Sequence, residues 1–380
     1  MQKKIFYWSP HINEEIATVK AVLNSAHSLS KYSKKYRPFV INAFGEWDNF
    51  YSKLNSLNIP LIKILNFKSI LPIHGFLKSR LFYIFFSLVI FFPLIKMIKK
   101  EKPDIIIVHL ITVPVLLAGF FLKKTKFILR ISGFPKLNFF RSFLWKISSK
   151  NIIKVFTPTK LTKEILIKKG IFGNNKVFLL EDPIIEINKL NKLKREEIND
   201  LPNNPKYIIS IGRLTSQKNF SFLIKSFAKI KDKIKDVKLV ILGSGEEEKK
   251  IKEIIKNNNL EEDILLKDYK KNPFNYLDKS ILFVMTSEWE DPGFVIIEAA
   301  ACNKLILSSD VLSGPREFIN NEESGLLFQK NNFDEFKNKI LNFFEMDDKF
   351  FFEKKLSAKK KVKNYTVFRH FTKLSKYLDD

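Results

Sequence analysis

Short apolar runs, each followed by a polar or Gly/Pro-containing loop, recur along the chain and alternate with amphipathic stretches. Residues 105–110 form one such run, in which His109 is the first polar residue. Near-continuous apolar runs are typical of the inner strands of a parallel sheet, because such strands are buried on both faces. The pattern therefore predicts an α/β fold. Further strands are predicted before Pro10 and at residues 127–131, 155–157, 207–211, 238–242 and 281–285.

The length of the chain favours two domains. At 380 residues it exceeds what one ordinary hydrophobic core needs, and its 45% hydrophobic residues suffice to bury two. Residues 189–204 are polar and charged, and this composition is typical of a flexible connection. We therefore expect a first domain at residues 1–188, a linker at 189–204, a second domain at 205–363 and a last helix within 364–380.

The longest apolar run, residues 81–95, is flanked by basic residues. It holds 15 residues, with Pro93 near its end, whereas a membrane-spanning helix needs about 20 apolar residues. We favour a buried helix of the first domain and keep a partly membrane-immersed helix as the alternative.

The net charge of +26 belongs almost entirely to the first half of the chain. Residues 1–180 hold 30 Lys and Arg against 7 Asp and Glu, whereas residues 181–380 hold 36 against 33. A general lysine bias would affect both halves alike. The asymmetry therefore predicts an anionic partner for the first domain, either nucleic acid or an anionic membrane surface.

Residues 134–147 mix aromatic and basic side chains on one predicted helix. An interfacial membrane helix places aromatic rings at the headgroup level and bases on phosphates. Aromatic and leucine residues at helical spacing also form ordinary cores, so both interpretations stay open. The basic run 31–37 would add to the same anionic contact, since each base near an anionic leaflet contributes about 1 kcal/mol.

The single cysteine and the N-terminus point to a reducing cytoplasm. Cys302 is alone, so no disulfide framework can form, and it is expected to be a packed helix residue. The first ten residues contain no long apolar region before Pro10, so no signal peptide is predicted.

The loop after residues 281–285 carries the main candidate chemistry. It holds Glu290 and leads past Gly293 into a small-residue helix that carries Glu298, with seven residues between the two acids. Ligands of open α/β sheets bind at the carboxyl ends of strands, and helix N-terminal amides bind phosphate or sugar oxygens. We expect Glu290 to lie over this site and Glu298 about two helical turns further in. Two acids alone are equally consistent with a solvated helix face.

A second candidate stretch follows residues 207–211. The predicted strand ends at Gly212-Arg213, and Lys218 lies five positions on, just before another predicted helix. Arginine offers a bidentate fork to phosphate and lysine a point charge. Fixed cations of this kind stabilise a departing diphosphate as its negative charge grows.

These two stretches resemble known motifs. Residues 286–300 resemble the motif with two glutamates seven residues apart in retaining nucleotide-sugar glycosyltransferases of the GT-B fold, in family four (glycosyltransferases group 1). Gly212, Arg213 and Lys218 resemble that family's diphosphate clamp. The resemblance is close over residues 205–330, and it covers the first domain only by architecture and by the strand that ends at His109. It implies two Rossmann-like domains that face across a cleft, with the helix in 364–380 returning to the first domain.

The resemblance also implies roles for individual residues. Glu290, Arg213, Lys218 and His109 would be the catalytic residues, with Arg213 and Lys218 on the diphosphate and His109 reaching the sugar from the first domain. Glu298 would hold the ribose. The remaining donor-binding residues would be Gly212, the amides of Gly293, Phe294 and Val295, and Asn272 in the loop against the base.

The implied reaction is a retaining transfer from a nucleotide-sugar to an acceptor hydroxyl. The nucleotide-sugar is a substrate, so no cofactor is expected, and no His/Asp cluster with metal-ligand spacing occurs. Together with the basic first half, the resemblance indicates a lipid-linked or oligosaccharide acceptor, as in lipopolysaccharide, O-antigen or capsule assembly. The enzyme would then be cytoplasmic and peripheral on the inner face of the cytoplasmic membrane.

Two other functions remain open from the sequence. A GT-B nucleotide-sugar epimerase would use the same donor without an acceptor. A non-enzymatic basic protein could bind nucleic acid, but no recognition helix or stacking platform is evident, so no nucleic-acid partner is expected. The sequence names neither the sugar, the base nor the linkage.

Overall fold

The structure is a computed structural model that describes residues 2–10, 17–65, 76–135, 137–202 and 205–380. It divides into two compact units. The first comprises Met1–Ile184 and Val367–Asp380, and the second comprises Ile185–Thr366. The division therefore falls before residues 189–204, which the sequence analysis assigned to a linker and which lie within the second unit.

The chain of the first unit alternates strands and helices. Short 3-10 helices lie at Asp48–Phe50 and Asn174–Lys176. The other elements are β1 (Lys3–Trp8), α1 (Ala17–Tyr32), β2 (Tyr36–Asn42), α2 (Tyr51–Ser56), β3 (Leu61–Lys63), α3 (Phe76–Glu101), β4 (Ile105–Val108), α4 (Val113–Ala118), β5 (Lys126–Arg130), α5 (Phe139–Ser148), β6 (Ile152–Thr157), α6 (Lys160–Lys168) and β7 (Val177–Leu179).

The second unit repeats this alternation, and one helix follows it. Short 3-10 helices lie at Lys231–Lys233 and Lys363–Tyr365. The other elements are α7 (Ile187–Leu193), β8 (Lys206–Ile211), α8 (Phe220–Ile230), β9 (Val237–Leu242), α9 (Glu248–Asn257), β10 (Ile264–Lys267), α10 (Phe274–Lys279), β11 (Leu282–Met285), α11 (Phe294–Ala301), β12 (Leu305–Ser309), α12 (Gly314–Ile319), β13 (Leu326–Phe328), α13 (Phe333–Glu345), α14 (Asp348–Val362) and α15 (Val367–Asp379).

The first unit is built on a seven-stranded parallel sheet with the order β3-β2-β1-β4-β5-β6-β7. Successive residues of β1 point to opposite faces. Phe6 and Trp8 pack with α3, α4, α5 and α6 on one face. Tyr7 packs with α1, α2 and α15 on the other. Inner strands such as β4 are buried on both faces, which explains their continuous apolar runs.

A chain of hydrogen bonds fixes α15 in the first unit. His370 Nδ1 lies 2.8 Å from the carbonyl oxygen of Glu181, which can only accept, so Nδ1 carries the proton. Burial lowers the pKa of His370 to about 3, so the ring is neutral and Nε2 accepts from Ser25 Oγ at 2.8 Å. The Tyr7 hydroxyl lies 3.0 Å from Ser25 Oγ and donates to it. The terminal helix is thus held by polar as well as apolar contacts.

The second unit is built on a six-stranded parallel sheet with the order β10-β9-β8-β11-β12-β13. Strands β8 and β11 are neighbours, although two strands and three helices separate them in the chain. The strand order reverses between them, which is where ligands bind in open α/β sheets. This topology brings the loops after β8 and β11 to one edge of the sheet.

Helix α3 is only partly the buried helix that the sequence favoured. Phe86, Ile90 and Leu94 are buried in the core of the first unit, but Leu88 and Phe92 on another side of the helix are exposed. The difference arises because the described residues cover α3 from one side only. Within those residues, no helix combines the length and the apolar character needed to cross a bilayer.

Candidate functional site

The loop after β8 is held against the end of β9 by a close approach of two glycines. The Gly212 amide donates to Leu242 O at 3.0 Å, and the Leu214 amide donates to Ser244 O at 2.8 Å. A Cβ atom at Gly243 would lie 1.9 Å from Gly212 O, so no larger residue fits there. These contacts fix the backbone on either side of Arg213, whose side chain is exposed.

Lys218 follows at the end of the same loop. Its amide donates to Thr215 O at 3.0 Å, and Asn219 adopts a left-handed conformation as the N-cap of α8, accepting from the Phe222 amide. The Thr286 hydroxyl, just after β11, donates to Lys218 O at 3.1 Å. The loop after β8 is therefore tied directly to the loop after β11.

Glu288 strengthens this connection, although the sequence analysis did not single it out. Its amide donates to Gln217 O at 2.8 Å, and its carboxylate accepts from Asn219 at 2.8 Å, from Asn331 at 3.0 Å and from Lys330. Burial would raise the pKa of Glu288, but the hydrogen bonds from Asn331 and Lys330 outweigh it and lower that pKa. Glu288 therefore connects several loops, and this role becomes visible only in the folded structure.

Glu290 and Lys218 form an ion pair at the centre of the site. The Lys218 ammonium donates to Glu290 Oε1, and the Ser287 hydroxyl donates to the same oxygen at 2.8 Å. Glu290 is buried, and Lys218 is largely buried. A backbone bridge also joins Glu290 to Ser313. The pair places a cation and an anion where a ligand at the sheet edge would meet both.

Helix α11 begins directly behind this pair. Gly293 is its N-cap with φ 81°, a left-handed conformation that favours glycine. The amides of Phe294 and Val295 lie at the first helical positions, where an α-helix offers amides no carbonyl of its own. Glu298 is buried only four residues after Phe294, about one turn into the helix and not the predicted two. The difference arises because the helix begins at Phe294.

Gly314 keeps the loop of Glu290 in place from the other side. A Cβ atom at Gly314 would lie 1.8 Å from the carbonyl oxygen of Pro292. The Ser313 hydroxyl donates to Asp291 Oδ1 at 2.8 Å. The loop is thus packed between its own helix and the start of α12.

The structure brings some predicted residues together and leaves others apart. Lys218 contacts Glu290, and Gly212 lies against the Lys218 side chain, where a Cβ would meet its carbons at 3.1 Å. Asn272 instead donates to Leu193 O at 2.9 Å and accepts from the Phe274 amide at 3.0 Å. Its side chain is thus engaged within the protein, so any base contact here falls to the loop backbone.

His109 lies in the first unit, at the end of β4 and beside β1, where the strand order of that sheet reverses. Its amide donates to Trp8 O at 2.8 Å, whereas neither ring nitrogen has a hydrogen-bond partner among the described residues. Burial, with Arg130 and His370 nearby, lowers the pKa of His109 well below its ordinary value. The ring lines a small cavity with Arg130, Asp182 and His370 and is neutral.

The part of the chain that forms this site is similar to known proteins. Residues 191–364 match the model of the family described as glycosyl transferases group 1. The match covers most of the second unit. The matched residues include the Lys218–Glu290 pair, the Arg213 loop and the start of α11.

The chain is also similar to individual glycosyltransferases. It is 33% identical over 247 residues to an uncharacterized glycosyltransferase of Methanocaldococcus jannaschii, covering 60% of the chain and 61% of that protein. It is 30% identical over 225 residues to the N-acetylgalactosamine-N,N'-diacetylbacillosaminyl-diphospho-undecaprenol 4-alpha-N-acetylgalactosaminyltransferase of Campylobacter jejuni, covering 57% of the chain and 60% of that protein. The chain thus spans about three fifths of the length of these relatives.

A solved structure extends the similarity to the whole fold. The crystal structure of HepE from Anabaena in complex with UDP matches 100% of the chain and 100% of its own, with a TM-score of 0.74 at 16% identity. The predicted GT-B fold class, with two Rossmann-like α/β domains, is confirmed. The family match lies in the second of these.

Proposed function

We propose that the chain is a retaining, metal-independent glycosyltransferase that moves a sugar from a nucleotide-sugar donor to a hydroxyl of a glycan acceptor. The observation that carries the proposal is the Lys218–Glu290 pair at the strand-order reversal within the residues that match group 1. In this function the second unit binds the donor, and the first unit binds the acceptor.

The donor diphosphate is stabilised by fixed positive charge. In the reaction, the bond between the anomeric carbon and the diphosphate oxygen breaks, and a bond to the acceptor oxygen forms on the same face of the sugar. The proton of the acceptor hydroxyl passes to the departing diphosphate. Negative charge grows on the diphosphate as it leaves. Arg213 and Lys218 meet this charge, and the first amides of α11 add further donors.

The two glutamates orient the rest of the donor. Glu290, held by Ser287, contacts the sugar, and Glu298 holds the ribose hydroxyls. The backbone of residues 268–273 lies against the base. His109 contributes from the first domain. Its ring nitrogens have no hydrogen-bond partner among the described residues, and each can accept or donate one hydrogen bond to sugar.

The acceptor in this proposal is a lipid-linked glycan of cell-surface polysaccharide assembly, of the lipopolysaccharide, O-antigen or capsule type. Two observations support it. The Campylobacter jejuni relative is named for an undecaprenol-diphosphate acceptor. The first half of the chain carries 30 basic against 7 acidic residues, which suits an anionic membrane surface. The enzyme would then act at the inner face of the cytoplasmic membrane.

A thermal-shift panel of UDP-, GDP- and ADP-sugars tests the proposal. One nucleotide class should raise the melting temperature, and Lys218→Ala should remove that shift. Sugar transfer to a lipid-linked acceptor should follow with the same donor. Turnover of the donor without any acceptor would instead indicate an epimerase, and salt-sensitive DNA binding without a nucleotide response would indicate a nucleic-acid-binding protein.

A further inference from the structure

The first unit exposes an unusual number of large apolar side chains on one set of helices. Eight of these described side chains are each more than half exposed, and the exposed fraction reaches 75% for Phe92 and 87% for Phe139. Soluble proteins rarely leave such side chains grouped, and a grouped patch usually marks an interaction surface. We call this set the α3–α5 face, and it comprises Ile84, Phe85, Leu88, Phe92, Phe121, Phe139, Phe140 and Phe143.

The three helices that carry these residues lie side by side. Helices α3, α4 and α5 cover the same face of the sheet, and α4 contacts both of the others. Phe91 of α3 packs its ring against Phe121, which follows α4, at 6.2 Å. On α5, the rings of Phe139 and Phe143 stack at 6.2 Å. The exposed residues therefore belong to one layer of the molecule.

Each of the two longer helices also buries an apolar side. On α5, Leu144 and Trp145 are buried, while Phe139, Phe140 and Phe143 are exposed. Packing of the unit accounts for the buried residues only. The exposed rings make no contribution to the core, and their accumulation calls for a partner outside the chain.

The segment that carries this apolar surface is rich in positive charge. Residues 76–150 contain 14 Lys and Arg against 2 Asp and Glu. On α3, the exposed residues Leu88 and Phe92 are followed at the same helical spacing by Lys96 and Lys100, which are also exposed. An apolar stripe that continues into lysines matches the profile of a lipid leaflet, where acyl chains give way to phosphates.

We propose that the α3–α5 face docks onto an anionic lipid bilayer, with its phenylalanine and leucine side chains in the headgroup–acyl boundary and its lysines on lipid phosphates. A second copy of the chain fits this face poorly. A two-fold interface would set this basic surface against itself, and like charges repel. The charge complementarity selects an anionic partner, and the large exposed rings select an apolar one.

The inference shares with the proposed function only the location at a membrane. The test is sedimentation of the full chain with vesicles of phosphatidylcholine, with and without phosphatidylglycerol. The chain should bind the anionic vesicles, and salt should weaken the binding. Phe92→Glu and Phe139→Glu should each lower the partition coefficient about tenfold, because each removes one inserted side chain.

Matched substitutions elsewhere provide the controls. Phe350→Glu changes a residue on α14 of the second unit that is 61% exposed, and it should leave vesicle binding unchanged. Replacing Lys99 and Lys100 with Gln should weaken binding to anionic vesicles, whereas replacing Lys359 and Lys360, also at the end of a helix, should not.

The outcomes separate this inference from the proposed function. If the Phe92 and Phe139 substitutions left vesicle binding unchanged, the proposed docking surface would be wrong. A dimer in solution that Phe92→Glu dissociates would also contradict it, because that would assign the face to a second copy. The thermal response to nucleotide-sugars is measured without lipid. Its loss would overturn the proposed function and leave the docking surface standing.

Discussion

Lys218 and Glu290 form a largely buried ion pair across 72 positions of sequence, at the edge where β8 and β11 lie side by side. Glu290 Oε1 accepts from the Lys218 ammonium and from the Ser287 hydroxyl. In the proposed function, the donor diphosphate needs the same ammonium. The carboxylate and the diphosphate therefore compete for Lys218, and donor binding must exchange one anion for the other.

This competition gives the first prediction. Glu290→Gln keeps the shape of the side chain but removes the negative charge, so nucleoside diphosphate should bind several-fold tighter. Sugar transfer should nevertheless fall about 100-fold, because the group that orients the sugar is lost. Calorimetric titration with the diphosphate and initial-rate measurements check the two effects.

The control for this prediction makes the same change in net charge at an exposed ion pair that contains neither Lys218 nor Glu290. Asp334→Asn removes an acid from the first turn of α13, where it pairs with Lys337 on the surface. It should alter neither diphosphate affinity nor turnover. An equal effect of both substitutions would show that overall charge, and not competition for Lys218, governs binding.

Arg213→Lys gives the second prediction. The Arg213 side chain is exposed, and its hydrogen bond to Gln217 Oε1 is long, at 3.4 Å. The substitution should therefore leave the melting temperature unchanged. It should lower kcat/KM for the donor about tenfold or more, because lysine cannot reproduce a bidentate fork on the diphosphate. Arg195→Lys, at another exposed arginine of the second unit, should have no kinetic effect.

Hydrophobic pattern alone predicts most of the strands and hence the fold class. The inner strands, such as β4 and β11, are buried on both faces, so their apolar runs are unbroken and easy to recognise. The contact between Lys218 and Glu290 is different. It depends on β8 and β11 being neighbours, and strand order is not a local property of sequence.

The domain boundary shows where composition misleads. Residues 189–204 are polar and charged, but they lie in the second unit and are tied to it by specific contacts. Asn272 donates to Leu193 O, and Lys194 pairs with Asp278 at 2.7 Å. A polar segment that packs through hydrogen bonds has the same composition as a flexible linker, so sequence cannot separate the two.

The exposed side of α3 could not be predicted from the sequence either. An apolar run such as residues 81–95 predicts burial, and it does so whether the cover is protein or lipid. Only the structure shows that Phe86 and Ile90 face the core while Leu88 and Phe92 face outward.

Gly314→Ala gives the third prediction. The new Cβ would lie 1.8 Å from Pro292 O, which is backbone and cannot move alone, so the loop that carries Glu290 must shift. We expect a loss of about 2 kcal/mol or more in unfolding free energy. Turnover should fall at least tenfold, because a displacement of about 1 Å in an active site is costly. Chemical denaturation and initial rates measure the two.

Gly170→Ala separates a lack of space from backbone strain. Gly170 has φ +61°, but nothing lies within 4 Å of its missing Cβ. The substitution should lower the unfolding free energy by about 1 kcal/mol, because of backbone strain alone, and should leave turnover unchanged. If Gly314→Ala were no more harmful than this, the contact with Pro292 would not position the loop.

The last prediction concerns pH and His370. Burial lowers the pKa of His370 from its ordinary 6.5 to about 3. Below pH 6.5 the unfolded chain therefore binds a proton at this residue. The folded chain binds that proton only near pH 3. The stability that neutral His370 contributes is present above pH 6.5 and is lost as the pH falls. Lowering the pH from about 7.5 to about 5 should therefore lower the contribution of His370 to the unfolding free energy by about 2 kcal/mol.

Two variants isolate this contribution from other titrating groups. His370→Asn should destabilise the chain near neutral pH, because it disturbs the bonds to Ser25 and Glu181. The difference in unfolding free energy between this variant and the wild type should shrink as the pH falls, because the variant has no histidine to protonate at this position. We call this difference the deficit of the variant. Ser25→Ala removes one of the same hydrogen bonds but keeps the buried ring, so its deficit should stay nearly constant. Urea denaturation of the three proteins across the pH range measures the deficits. A constant deficit for His370→Asn would mean that the ring takes up its proton at the same pH in the folded and the unfolded chain. The protonated Nε2 would then donate to Ser25 Oγ and Ser25 to Tyr7, while Nδ1 would still donate to Glu181 O.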